Sequence, residues 1–208
     1  MSDSNIIKGF FIINLADMLV EMGEDAAKSI LLDFSCPVNR DVEYFIKQKA
    51  IEFSKQGLAK THLVFCSYKS ETIFVGYFSL ANKYILVNPD ILTKNKRKRI
   101  TKFGTYNKDT KKYIISAPLI AQLGKNFKYK DKRLISGDEL LKMACDKVRE
   151  AQSYIGGKIA YLECEDKPEL DRFYSDNGFI RFGTRDLDED EKGLMSSKQL
   201  VQMLKYLN

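Results

Sequence analysis

Lys130, Lys132 and Arg133 stand just ahead of Ser136 and Gly137, where the sequence turns from a polar loop into a helical pattern. A helix N-terminus offers unpaired N–H groups and the positive end of the aligned peptide dipoles. Gly137 would let a pyrophosphate approach the backbone closely, and the three cations would complement its charge. The same residues also read as an ordinary basic loop with a serine cap. Other residues suited to chemistry are sparse. Cys36, Cys66, Cys145 and Cys164 form no CxxC pair, and the single histidine, His62, is distant in sequence from all but Cys66. A zinc site needs about four N or S ligands, usually in close pairs, so no metal is expected. The thiols read as reduced and mostly buried. Cys164 has no evident histidine to activate it as an acyl carrier, and His62, inside a strand pattern, reads as structural. Glu163 and Glu165 follow a predicted strand, and either could act as a base through water; solvated or paired roles are the alternative.

These groups need elements to position them. Ile6 to Ile13 reads as a first strand, followed by helical spacing at Leu15, Met18, Leu19 and Met22, a break at Gly23 and a second helical stretch, Ala26 to Leu32. Asn39 is placed to cap one long helix, Arg40 to Gln56, ended by Gly57. Ala59 to Cys66 and Thr72 to Ala81 form a predicted hairpin, with a separate short strand at Tyr84 to Val87. Tyr113 to Leu123 returns to strand composition, and Gly124 to Ile135 is a loop without periodicity. Ser136 then opens a helix with Leu140, Leu141, Ala144, Val148 and Ala151 on its inner face, closed by Gly156-Gly157. Lys158 to Cys164 is a strand, Pro168 to Asp176 a short helix, and Phe179 to Thr184 and Gln199 to Tyr206 are the last strands. The strand-loop-helix-strand order implies a parallel crossover with a cleft at the carboxyl ends of its strands.

At 208 residues, with 44% hydrophobic and 30% charged, the chain suits one well-buried domain and excludes disorder of the whole. No apolar run approaches the roughly 18 residues of a membrane span, and no cleavage site follows the run from Ile6 to Leu15. A cytoplasmic location is expected. The net charge of +6 is unevenly placed, with fourteen cations between Lys94 and Arg133 opposed by Asp109 and Asp131 alone. Such asymmetry suggests a polyanionic partner. Lys96, Arg97, Lys98 and Arg99, with Phe103 and Tyr106 close by, suit phosphate contacts plus base stacking, or equally a solvated mobile arm.

From Ala117 to Phe182 the chain resembles the GNAT acetyltransferases. The resemblance rests on Pro118-Leu-Ile-Ala-Gln-Leu-Gly124, Lys132-Arg-Leu-Ile-Ser-Gly137, Ala160-Tyr-Leu-Glu-Cys164 and Phe173-Tyr-Ser-Asp-Asn-Gly-Phe179. The last, FYxxxGF, is the most specific. The family's loop reads Q/R-x-x-G-x-G/A, where this chain has Lys132, Ile135 and Gly137. Phe34-Ser-Cys-Pro37, Gly57-Leu-Ala-Lys-Thr61 and Val75-Gly-Tyr-Phe-Ser-Leu-Ala81 are similar to the GNAT toxins of bacterial toxin–antitoxin pairs, which acetylate the α-amine of aminoacyl-tRNA. A segment at about 82–112 is a basic insertion against that pattern. The resemblance implies a single α/β domain, 1–208, with a mixed central sheet of about six to seven strands and flanking helices. It implies acetyl-CoA as co-substrate, its pantetheine arm along Leu119, Ile120, Ala121, Gln122 and Leu123. The phosphates would lie on Lys130 and on Lys132, Arg133, Leu134, Ile135, Ser136, Gly137 and Asp138, with Phe173 beside the cofactor. It implies that Tyr174 protonates the departing thiolate. Spacing alone reads Tyr174 as a core residue, since Leu170, Phe173 and Tyr174 share a helical face. The implied partners are an amine acceptor, tRNA, an antitoxin protein and a second copy of the chain. A non-catalytic coenzyme A- or RNA-binding protein on the same fold is the alternative.

Overall fold

Asn14 closes the first strand and opens the first helix, its Oδ1 accepting the Ala16 N–H at 2.9 Å. In this computed structural model the described residues are 9–189, 191–193 and 197–207. Ile6 to Lys8 of the expected first strand lie outside them. Strand β1 is Phe10–Asn14, β2 Lys60–Tyr68, β3 Glu71–Val87, β4 Gly104–Asn107, β5 Lys112–Lys125, β6 Ile159–Glu165, β7 Ile180–Asp186 and β8 Gln199–Tyr206. Helices are α1 Leu15–Met22, α2 Glu24–Leu32, α3 Arg40–Tyr44, α4 Ala50–Lys55, α5 Lys94–Ile100, α6 Gly137–Ile155 and α7 Pro168–Asp176. The strands form one mixed sheet in the order β1-β2-β3-β5-β6-β8-β7, with β4 paired to β5. The eighth strand, β4, exceeds the six to seven expected. Its Gly-Thr-Tyr-Asn composition carries no periodic signal, and the turn after it makes the pairing: Asn107 Oδ1 accepts the N–H groups of Asp109 and Thr110, both at 2.9 Å.

The chain divides into two compact units, residues 9–80 with 122–143, and 81–121 with 144–207. In the first, the segment from α1 to α4 buries Leu15, Leu31, Phe34, Phe45 and Ile46 with Leu63, Phe65, Phe74 and Tyr77 of the β2–β3 hairpin. The hairpin turns through Lys69 and Ser70, both at positive φ, with Tyr68 opposite Glu71. This is the two-residue geometry that matches strand twist. The long helix expected from Arg40 to Gln56 is interrupted. Phe45–Lys49 form a π turn, and the Ala50 N–H reaches back five residues to Phe45 O. The apolar stripe survives it, since Val42, Phe45, Ile46 and Ala50 all remain buried, so periodicity does not reveal the change.

Close packing leaves no room for a side chain at Gly124. A Cβ there would lie 2.4 Å from Val42 Cγ1 and 2.7 Å from Tyr77 Cε1. Gly124→Ala is expected to lower stability by about 1–3 kcal/mol, the usual cost of overpacking, read as a fall in the thermal midpoint.

In the second unit, Ile85 and Val87 of β3 pack with Leu92, Ile100, Ile115, Tyr161 and Phe182. The separate strand expected at Tyr84 is the end of β3, where Tyr84 and Leu86 are exposed and Ile85 and Val87 are buried. The basic segment is therefore not a loose arm; Leu92 and Ile100 anchor it. At the end of α6, Ala151 is exposed and Gln152 is buried in its place. The Gln152 amide donates to Ile159 O at 2.9 Å, so a hydrogen bond decides which residue turns inward. Among the described residues no helix is long and apolar enough to cross a membrane.

Candidate functional site

The first unit holds the loop. Asn126, buried, fastens its start: Oδ1 accepts from Ser35 N and Lys128 N, and Nδ2 donates to Phe74 O. A 3-10 turn, Phe127–Lys132, replaces the irregular stretch expected here. Arg133 then adopts left-handed backbone at φ 47, ψ 44, a conformation disfavoured for residues with a Cβ. Leu134 and Ile135 plunge into the core. Ile135 thus fills the place of a family glycine as an apolar anchor. A depression lined by Val75, Lys125, Asn126, Tyr129, Lys130 and Arg133 opens over them. Three of those six residues are cationic. Lys132 instead lies between two rings, its Nζ 5.2 Å from the Tyr68 centroid and 5.1 Å from that of Tyr129.

Ser136 and Glu139 cap α6 reciprocally. Ser136 Oγ accepts the Glu139 N–H at 3.1 Å, and Glu139 Oε2 accepts from Ser136 N and Oγ at 2.8 Å. This is a capping box, which does not use the amides of Gly137 and Asp138. It also places a carboxylate at the N-terminus of α6. On β5, Gln122 and Leu123 are half-buried, and the Gln122 amide donates to Asp41 Oδ2 at 2.9 Å. Nothing in the sequence singles out Asp41, because its partner lies 81 residues away. His62 is buried and stacks on Phe78.

In the second unit, Leu119 and Ile120 pair in parallel with Tyr161 and Leu162 of β6; Ala121 falls outside that ladder. Tyr174 is placed by the end of α7. The Gly178 N–H donates to Ser175 O at 2.9 Å and the Phe179 N–H to Tyr174 O at 3.0 Å. These are the two bonds of a Schellman motif, with Gly178 at φ 81 and the Phe179 ring against Tyr174 as its apolar contact. FYxxxGF is thus the sequence of a helix terminus that fixes a tyrosine. Phe173, half-buried, meets the Tyr174 ring edge-on at 4.9 Å. Among the described residues the Tyr174 hydroxyl has no hydrogen-bond partner. Burial, reinforced by the neighbouring Cys164, raises its pKa well above the ordinary phenol value. Burial also pushes the Cys164 thiol up to about 11, with nearby carboxylates adding to the effect. It is therefore a neutral thiol at pH 7, poorly suited to carry an acyl group.

Both carboxylates considered as bases are engaged. Glu163 Oε2 accepts from Arg185 Nε at 2.6 Å and Oε1 from Gln202 Nε2 at 2.8 Å. Arg185 continues to Glu191 through two bonds of 2.7 Å. Glu165 pairs with Lys167 at 2.6 Å. The basic segment also divides by role. Arg97 donates to Pro89 O and Asp90, and Arg99 lies 4.0 Å from the Tyr206 ring centroid. These two arginines support the fold, whereas Lys96 and Lys98 are exposed.

No family model matches the sequence, and no curated protein matches it significantly. Solved structures share its fold. KacT, in a tyrosine-to-phenylalanine mutant form, aligns with a TM-score of 0.60 and 15% identity over 93% of this chain and 94% of that chain. AtaT complexed with acetyl-methionyl-tRNAfMet aligns at 0.59 and 16%, over 93% and 94%. A mutant AtaT toxin bound to the C-terminus of the antitoxin AtaR and acetyl-CoA aligns at 0.53 and 14%, over 93% and 92%. The resemblance to the GNAT toxins drawn from motifs therefore extends to the fold of nearly the whole chain.

Proposed function

We propose that this protein is an acetyl-CoA-dependent N-acetyltransferase whose acceptor is the α-amine of aminoacyl-tRNA. The observation that carries this reading is Tyr174, a phenol with no hydrogen-bond partner among the described residues, fixed by a Schellman terminus and two aromatic rings. The amine nitrogen attacks the thioester carbonyl, and a C–N bond forms as the C–S bond breaks. Tyr174 donates its O–H to the departing sulfur, and the amine proton leaves to solvent. Coenzyme A carries three phosphate groups, and the residues present fit them: Lys125, Lys130 and Arg133 surround the depression, and the capping box leaves the Gly137 amide aside. Gln122 and Leu123 offer β5 backbone for the pantetheine arm, with Gln122 oriented by Asp41. Leu134 and Ile135 hold the loop down, and Asp138 lies in the first turn of α6.

Glu163 is given no base role, since both its oxygens are taken. An unassisted site suits an α-amine near pKa 8, which is appreciably neutral at pH 7, better than a lysine near 10.4. The AtaT complex with acetyl-methionyl-tRNAfMet supports the same acceptor, and the AtaT–AtaR complex supports an antitoxin partner. Calorimetry with acetyl-CoA, followed by acetyl transfer to aminoacyl-tRNA and to lysine peptides, tests the reading. Micromolar binding with transfer to the α-amine is expected; transfer to lysine in preference would defeat it.

One observation favours the non-catalytic alternative: the Glu139 carboxylate already occupies the α6 N-terminus. Glu139→Gln keeps an acceptor for the capping box but removes the charge. It is expected to cost less than about 1 kcal/mol of stability and to tighten acetyl-CoA binding a few-fold by calorimetry. An unchanged or weaker affinity would place the phosphates away from this helix end.

A further inference from the structure

We infer that the α5–β4 segment is the surface on which the RNA body of the acceptor docks, an inference that rests on the aminoacyl-tRNA reading. Residues 82–112 carry ten cationic side chains against Asp90 and Asp109. Of the ten, Arg97 is held by Pro89 O and Asp90, and Arg99 covers Tyr206. Lys94, Lys96, Lys98, Lys102, Lys108, Lys111 and Lys112 are all exposed, and among the described residues none of them has an ion-pair partner.

This arrangement works against its own local structure. α5 has seven residues, too few to be stable alone. Its N-cap, Thr93, makes no side-chain capping bond. Lys94 and Lys96 sit at the positive end of the helix, where carboxylates are favoured, and Lys94 repels Lys98 one turn on. The helix persists because Leu92 and Ile100 are buried and its two arginines tie it to Pro89 and to the Tyr206 ring. The scaffold thus holds lysines in a cluster that they would leave if free. A polyanion removes the penalty, and releases counterions in doing so.

The same segment carries exposed aromatic groups. Tyr84, Phe103 and Tyr106 are exposed, and Tyr106 leans on Tyr113 at 5.1 Å between ring centroids. Unpaired bases can stack on such rings. Charge and stacking together favour a folded RNA with unpaired loops over an acidic protein.

The test uses the full chain and fluorescently labelled bulk tRNA, with anisotropy titrations between 50 and 200 mM salt. Lys96→Glu/Lys98→Glu/Lys102→Glu is compared with Lys28→Glu/Lys60→Glu/Lys158→Glu, which changes net charge equally on exposed lysines elsewhere. The α5 variant is expected to lose at least about ten-fold in affinity at 100 mM salt. Its log–log salt slope should flatten by roughly 2–3, near one unit for each lost phosphate contact. The control should lose less than about three-fold. If the glutamates unfold the segment, Lys96→Gln/Lys98→Gln/Lys102→Gln serves instead, with an unchanged or raised thermal midpoint and the same loss of affinity. Equal loss in test and control, or none in either, overturns the surface. Acetyl-CoA calorimetry on the same proteins separates the two ideas. Its failure in the wild type removes the proposed function, while the tRNA comparison still decides whether this face binds RNA.

Discussion

Tyr174→Phe is expected to lower kcat by about 10²–10³-fold, in the range of a lost general acid or oriented donor, with the acetyl-CoA Kd held within about two-fold. The variant removes one oxygen. The ring contacts with Phe173 and Phe179 remain, and no hydrogen bond is lost among the described residues. Stability should therefore hardly change, and the effect belongs to the transition state. Ordinary values make proton transfer from a phenol near 10 to a thiolate near 8.5 uphill by about 2 kcal/mol. Burial raises the Tyr174 pKa further, so complete transfer is costlier still. The phenol is better described as a donor whose bond strengthens as charge grows on sulfur.

The sign of that shift gives a second readout. A raised pKa keeps the phenol protonated, and competent as a donor, through neutral and mildly alkaline pH. kcat/KM should rise as the acceptor amine deprotonates near pH 8 and show no falling limb from Tyr174 below about pH 10. Tyr174→Phe should lower this curve without changing its shape. Thiol release followed against pH measures both. Turnover equal to wild type, or a falling limb near pH 8–9 that the variant abolishes, would sink the role.

The helix terminus that places Tyr174 is legible in the sequence because its motif is local. Gly178 and Phe179 encode the helix terminus within six residues of Phe173, and the bonds they make are with that same helix. Ser136 with Glu139 is equally local. Features that depend on distant partners left no trace. Gln122 with Asp41, and Glu163 with Arg185 and Gln202, join residues 22 to 81 positions apart. Glu163 looked like a base in sequence because nothing there reveals the guanidinium beside it. Arg99 looked like a phosphate contact for the same reason, its partner Tyr206 lying at the other end of the chain. β4 was missed because its pairing comes from a turn, and the π turn because it leaves the buried stripe in place. Periodicity reports which face is buried and is blind to how the backbone delivers it.

Arg133 offers the sharpest test of where the phosphates lie. Lys130→Glu/Arg133→Glu is expected to weaken acetyl-CoA binding about 100-fold. Each reversal changes the interaction with a phosphate by about 2 kcal/mol at roughly 4 Å in bulk-water dielectric, and salt screening brings the two together to about 3 kcal/mol. A fall of that size could also follow from a damaged loop, so a second variant is needed. Arg133 holds left-handed backbone, which disfavours any residue with a Cβ by about 1–2 kcal/mol. Arg133→Gly relieves that cost and adds unfolded-chain entropy of similar size. Its thermal midpoint should therefore stay near the wild-type value. Its acetyl-CoA Kd should nevertheless weaken about ten-fold, because the cation is gone. A stable protein that binds poorly would mean that the strained arginine is kept for its charge. Wild-type affinity in Arg133→Gly would mean that Arg133 serves only to turn the chain, and would move the phosphates toward Lys125 and the α6 terminus. That outcome would join this variant to Glu139→Gln, since a ligand seated on the helix end must meet the carboxylate that caps it.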